Sequence, residues 1–173
     1  MKTIVIYKSQ TGFTKRYATW IQEELNCDIK ELKEVTKQDY KNYDRFIYGS
    51  SFMAGKVKSL SEVKKHVKKE LIVFAVGLAN MEAAGKIIDR MKNDNFTIEE
   101  QKNIPFFYFE GGIDYDKLGF VQKKMLRMIY KSLVKKENKT EEDIGMMQGL
   151  EKSSDHTNKN NIIPLIELLR KES

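Results

Sequence analysis

Residues 70–78 read ELIVFAVGL, and no polar side chain stands between Glu70 and Gly77. A strand with one wet face alternates apolar and polar residues. An unbroken apolar run of this length, rich in β-branched side chains, is a strand covered on both faces, which is the signature of a parallel sheet. Three further runs repeat it: Lys2–Tyr7 (KTIVIY), Asp44–Gly49 (DRFIYG) and Ile104–Phe109 (IPFFYF), the last with Pro105 near its start, where proline is tolerated. Asp28–Leu32 reads as a short edge strand. Helical periodicity fills the intervals, at Thr14–Leu25 (Ala18, Ile21 and Leu25 on one face), Leu60–Lys69 and Met81–Lys92 (Met81, Ala84, Ile88 and Met91). Ile163–Arg170 closes the chain, with Pro164 suited to a first helical turn. Strand followed by helix throughout predicts a doubly wound α/β sheet. At 173 residues the chain fits one domain, 1–173. Residues 111–161 break the pattern and carry no strand signal.

The bulk composition excludes several classes. Two prolines and ten glycines rule out a chain disordered from end to end. The single cysteine, Cys27, excludes an internal disulfide and fits a reducing compartment; a small buried role suits it better than a reactive one. No run of eighteen apolar residues suggests a membrane span. The apolar stretch after Met1-Lys2-Thr3 is too short for a secretion signal, so a cytoplasmic protein is expected. The net charge of +6 favours acidic partners without naming one. No cluster has metal-ligand spacing.

The chemistry concentrates in the turn after the first strand, Ser9-Gln10-Thr11-Gly12-Phe13-Thr14. In a doubly wound sheet, ligands bind outside the carboxyl ends of the strands. A glycine lets the backbone turn tightly, and the amides opening a helix converge on an anion. Hydroxyls at Ser9, Thr11 and Thr14 add donors, so the turn reads as a phosphate cradle. Ordinary helix capping by Ser or Thr is the plainer alternative. The turn has neither the glycine-lysine loop of nucleotide hydrolases nor G-x-G-x-x-G.

A Ser/Thr-x-Thr-Gly-x-Thr turn after the first strand resembles the flavodoxin family. Gly49-Ser50-Ser51-Phe52-Met53-Ala54-Gly55 is similar to that family's G-S-P-x-Y-A-G loop, and Val76-Gly77-Leu78-Ala79-Asn80 falls where the family places its other ring-contacting loop. The resemblance implies a flavodoxin-like, five-stranded parallel sheet of order 2-1-3-4-5. It also implies flavin mononucleotide (FMN), its phosphate held by residues 9–14 and its ring by Ser50, Ser51, Phe52, Met53, Ala54 and Gly55 on one side and residues 76–80 on the other. Met53 replaces the pattern's tyrosine, and residues 78–80 include no aromatic, which implies a less enclosed ring.

Within 111–161, residues 119–136 (GFVQKKMLRMIYKSLVKK) form a basic amphipathic helix at about 100° per residue. Val121, Met125, Leu126, Met128, Ile129 and Leu133 share one broad arc; Lys123, Lys124, Arg127, Lys131 and Lys135 lie opposite. Such a helix can rest on an anionic membrane at its inner face, cover a greasy ligand, or pack on its own domain. The insertion, with Gly12-Phe13-Thr14, residues 73–78 (VFAVGL) and residues 109–115, resembles the menaquinone-dependent protoporphyrinogen oxidases of the flavodoxin superfamily. That implies oxidation of a reduced tetrapyrrole with electrons passed to a quinone, and Lys123, Lys124, Arg127 and Lys131 would attract propionates or anchor near the membrane. No catalytic residue is implied. Glu82, Asp114, His66 and His156 read as solvated groups. A flavodoxin-type carrier between a reductase and an acceptor enzyme is the alternative, against which the basic charge speaks. A nucleic-acid surface is weakest, because the lysines are not interleaved with exposed aromatics.

Overall fold

The computed structural model describes residues 1–171. The chain runs β1 (Thr3–Lys8), α1 (Phe13–Leu25), β2 (Asp28–Glu31), a 3-10 turn at Leu32–Glu34, α2 (Lys37–Asn42), β3 (Arg45–Met53), β4 (Lys56–Val57), α3 (Leu60–His66), β5 (Glu70–Gly77), α4 (Met81–Asn95), α5 (Ile98–Asn103) and β6 (Phe106–Glu110). It continues through β7 (Gly112–Ile113), α6 (Phe120–Lys135), α7 (Glu141–Glu151), β8 (Ser154–Asp155), a 3-10 turn at Lys159–Ile162 and α8 (Ile163–Lys171). Five parallel strands stand in the order β2-β1-β3-β5-β6, and β4 folds back antiparallel on the end of β3. With that hairpin set aside, this is the expected 2-1-3-4-5 sheet.

The burial explains the missing polar alternation. Ile4, Ile6, Phe46, Tyr48 and Val73 point into one layer, against Leu60, Val63 and Met91 of α3 and α4. Val5, Ile47, Ile72 and Phe74 point into the other, against Tyr17 and Ile21 of α1 and Leu165 and Ile166 of α8. Each large side chain taken out of water is worth roughly 1.5–3 kcal/mol, so both faces of the central strands are filled with apolar side chains, with Arg45 and Ser50 of β3 as buried polar exceptions.

Several boundaries differ from the sequence reading. The third helix stops at His66, where the backbone turns extended and buries Val67; beyond it the exposed Lys69 donates to Lys41 O at 3.1 Å, Tyr43 O at 2.7 Å and Asp44 Oδ1 at 3.2 Å. β3 runs on to Met53, so residues 50–53 are strand where a loop is expected. β7 and β8 pair within the segment that shows no strand signal, since two residues each are too short to produce one. His66 is exposed, as expected, with its ring stacked on Tyr40 at 5.2 Å. Cys27 is half-buried, and burial pushes its thiol up to about 11, which leaves it protonated and inert. Among the described residues no helix is long and apolar enough to cross a membrane, and no cluster of acidic, His or Cys side chains could hold a metal ion.

Residues 111–157 form a small layer with its own core of Ile113, Leu126 and Leu150, flanked by Tyr115, Leu118, Tyr130 and Leu133. Tyr17 ties the layer to the sheet: its hydroxyl donates to Glu110 O at 2.6 Å and accepts from Asn158 N at 3.1 Å and Asn161 Nδ2 at 3.0 Å. Arg16 adds hydrogen bonds to Asp155 and Thr157.

Candidate functional site

The turn between β1 and α1 is built to receive an anion. Gly12 occupies the N-cap position of α1 at φ 99°, ψ −19°, a left-handed conformation that costs glycine little. No side chain caps the helix, and its first turn holds no acidic residue. Ser9 Oγ is spent on the turn itself, accepting from Gly12 N at 3.1 Å. Arg16 N closes on Gly12 O, whereas the amides of Thr11, Phe13, Thr14 and Lys15 meet no protein acceptor among the described hydrogen bonds. A helix that opens with free amides and a positive dipole end is suited to an anion. The uncapped terminus therefore fits a phosphate and does not fit the plainer reading of hydroxyl capping.

Beside this turn opens a cavity of about 370 Å³. Its first wall is the end of the β3–β4 hairpin: Ser51, Phe52 and Met53 of β3, then Ala54 at φ 50° and Gly55 at φ 79°. Two consecutive left-handed residues make the tight two-residue turn that matches strand twist. The second wall is Val76 and Gly77 at the end of β5 with Leu78 and Ala79 beyond it. Tyr108 holds this wall from beneath, donating to Ala79 O at 3.0 Å, while Phe52 meets the Tyr108 ring edge-on at 6.3 Å. Burial pushes the Tyr108 phenol up, so it remains a donor. The roof is the inserted layer: Leu118, Gln122, Met125, Leu126 and Ile129, with Met146 of α7. A glutamine clasp fastens roof to turn. Gln10 Nε2 donates to Gln122 Oε1 at 2.6 Å, Gln122 Nε2 returns a bond to Gln10 Oε1, and Gly119 N donates to Gln122 Oε1 at 2.9 Å.

A profile described as a flavodoxin domain matches residues 4–141. The chain belongs to the flavodoxin-domain family. An uncharacterized protein of Methanocaldococcus jannaschii is 30% identical over 106 residues, 57% of this chain and 71% of that protein. The protoporphyrinogen IX dehydrogenase [quinone] of Escherichia coli is 28% identical over 76 residues, which span 40% of this chain and 42% of the enzyme. Among solved structures, a flavodoxin from the domain Archaea aligns at 22% identity and TM-score 0.41, covering 62% of this chain and 85% of that one. A Lactobacillus acidophilus flavoprotein in complex with FMN aligns at 21% and 0.40, covering 61% and 92%.

Of the residues the sequence marks out in this flavodoxin-family chain, Gln10, Thr11, Phe13, Thr14, Ser51, Phe52, Met53, Ala54, Gly55, Val76, Gly77, Leu78 and Ala79 line the cavity. Four stand elsewhere. Ser9 and Gly12 shape the turn. Ser50 is fully buried in the sheet and reaches Lys8 O at 3.4 Å. Asn80 caps α4, accepting from Ala83 N at 2.8 Å. Gly49 also has another role: a Cβ there would sit 1.9 Å from Phe74 Cζ, so the glycine makes room for a core ring. Ile87, Met91, Tyr108, Gln122 and Met146 line the cavity without having been singled out. Met91 carried only a core-face signal, and Gln122 none.

The amphipathic arc of α6 is divided. Leu126 is buried and Leu133 partly so, and Met125 and Ile129 face the cavity; Val121 and Met128 are 78% and 58% exposed. The arc is wider than the strip that the small layer covers, so its far edge meets solvent. There Phe120, Val121 and Met128 alternate with exposed Lys124, Arg127 and Lys131. Glu82 is exposed and pairs with Lys86 at 3.1 Å. Asp114 pairs with Lys117 at 2.7 Å, which holds its carboxyl below the usual range.

Proposed function

We propose that the cavity holds FMN and that the protein is a flavin-dependent oxidoreductase. The observation that carries this reading is the uncapped, glycine-led start of α1 facing an apolar slot between the Ser51–Gly55 hairpin and the Val76–Ala79 segment. Thr11, Phe13, Thr14 and Lys15 offer amides to the phosphate, Phe52 and Met53 pack against one side of the ring, and Leu78 and Ala79 against the other. FMN, when bound, accepts a pair of electrons from one organic molecule and gives it to another. The chain's own part is to orient the ring, shield it with Met125, Ile129 and Met146, and leave an edge open to its partner.

A reduced tetrapyrrole is the substrate and a quinone the acceptor in this reading. Support comes from the sequence resemblance and from the activity for which the E. coli relative is named, which this chain matches over less than half its length. In balance, each two-electron oxidation of the reduced tetrapyrrole removes two hydrogens, from its bridging carbons and pyrrole nitrogens, as two electrons and two protons, and a quinone takes up two of each to become quinol. The outer face of α6 suits the quinone's location: Lys124, Arg127 and Lys131 attract anionic headgroups while Phe120, Val121 and Met128 enter the interface. Anaerobic mixing of the FMN-loaded protein with protoporphyrinogen and menaquinone tests the reading through porphyrin fluorescence. A quinone-dependent rise supports it. No rise from a visibly yellow protein points to the carrier alternative, with a stable semiquinone on redox titration as its mark. Reversing charge at Arg127 and Lys131 together should weaken binding to phosphatidylserine vesicles by at least about tenfold; unchanged binding would remove the membrane from the reading.

A further inference from the structure

A second cavity, of about 360 Å³, lies across the Leu78–Ala79 segment from the first, and the two share Leu78, Ala79 and Met146 as a wall. Its walls are mostly apolar, with Ala83 of α4 and Leu150 of α7. Glu82 and Lys86, both highly exposed, neutralise each other at 3.1 Å. Asn80, Ser154, Glu110 and His156 are the other polar side chains, and Asn80 Oδ1 is spent on capping α4. Glu110 ends β6 opposite Gly77, at the carboxyl edge of the sheet where doubly wound folds bind ligands. Its carboxylate makes no hydrogen bond or ion pair among the described residues, while its carbonyl accepts from Tyr17. His156 is fixed at the same cavity by its amide, which donates to Gly111 O at 2.9 Å.

We infer that this second cavity is a binding site for an apolar, ring-sized molecule carrying an N–H or O–H donor. An unpartnered carboxylate among apolar walls accepts such a donor strongly and discriminates against the same molecule without it, because the lost bond is one to a charged group. His156 supplies a second donor or acceptor to the ligand's heteroatom. As the approach of the substrate to the ring this site rests on the flavin reading; as a binding site it does not.

The test is a 1H–15N NMR titration of the full chain at neutral pH, with and without saturating FMN, using 2-naphthol and 2-methoxynaphthalene as probes. Saturable 2-naphthol shifts at Gly111, Leu150 and His156, with 2-methoxynaphthalene about tenfold weaker, are expected. Glu110→Ala should bring the two probes to equal affinity. Equal affinity for the wild-type chain, no binding, or shifts confined to Gln10, Met53 and Gln122 would overturn the inference. Shifts at His156 in a protein that never binds FMN would uphold the site and remove the flavin reading; FMN binding with no shift at His156 would do the reverse.

Discussion

Single atoms decide much of this site. Gly49 shows how far a motif can mislead about its own cause, since it resembles a flavin-loop glycine and serves to admit the Phe74 ring. Gly49→Ala should cost at least about 2 kcal/mol in urea unfolding, because the Cβ would have to displace a fully buried ring. A neutral substitution would mean that Phe74 has another place to go. Tyr108 acts through one hydrogen bond to Ala79 O, which fixes the second wall of the slot. Tyr108→Phe should leave the fold intact and weaken FMN binding by about fivefold, read by quenching of flavin fluorescence. An unchanged affinity would show that the 76–79 wall holds itself.

At the scale of elements, the parallel strands were legible because burial on both faces erases polar alternation. The glycine-led turn at the start of α1 was legible because its parts are consecutive in sequence. Short elements were not read. α2 and α5 each span six residues, although Thr36 with Asp39 and Thr97 with Glu100 form capping boxes that announce them. The Gln10–Gln122 clasp joins residues 112 positions apart, and no local signal could reveal it. α2 also yields a pH prediction. The Lys30 ammonium at 2.7 Å, with the Thr36 amide, holds the Asp39 carboxyl at about 2, below its ordinary 3.8. A depressed carboxyl stabilises the fold above its unfolded value, and that contribution fades as pH falls from about 4 toward 2. Asp39→Asn should therefore lower stability at pH 7 by about 1–2 kcal/mol, Lys30 being partly screened by solvent. Melts repeated at descending pH should show the gap to wild type closing over that window. A gap constant down to pH 2 would assign the loss to packing.

Across the whole molecule, the inserted layer sets this chain apart from a bare doubly wound domain. It is bound at its base by Tyr17 and Arg16, clasped to the phosphate turn by Gln122, and laid over the slot by Met125, Ile129 and Met146. The sequence displayed the amphipathic helix but left open whether it covers a ligand, meets a membrane or packs on its domain. The fold packs one side of the helix on its own layer, turns Met125 and Ile129 toward the cavity and leaves Phe120, Val121 and Met128 exposed, which no wheel can do without the neighbouring elements. Breaking the clasp with Gln122→Ala should raise the dissociation rate of FMN several-fold while costing the fold no more than the about 1 kcal/mol of the Gly119 cap, since the clasp itself is exposed; an unchanged rate would separate roof from cofactor. The central claim is that the free amides of the first turn hold a phosphate beside an apolar slot. Parallel fluorescence titrations with FMN and riboflavin test it most directly, because the two ligands differ only in that group. One-to-one quenching, with FMN bound at least about a hundredfold more tightly than riboflavin, is the predicted result; equal affinities, or no quenching by either, would contradict it.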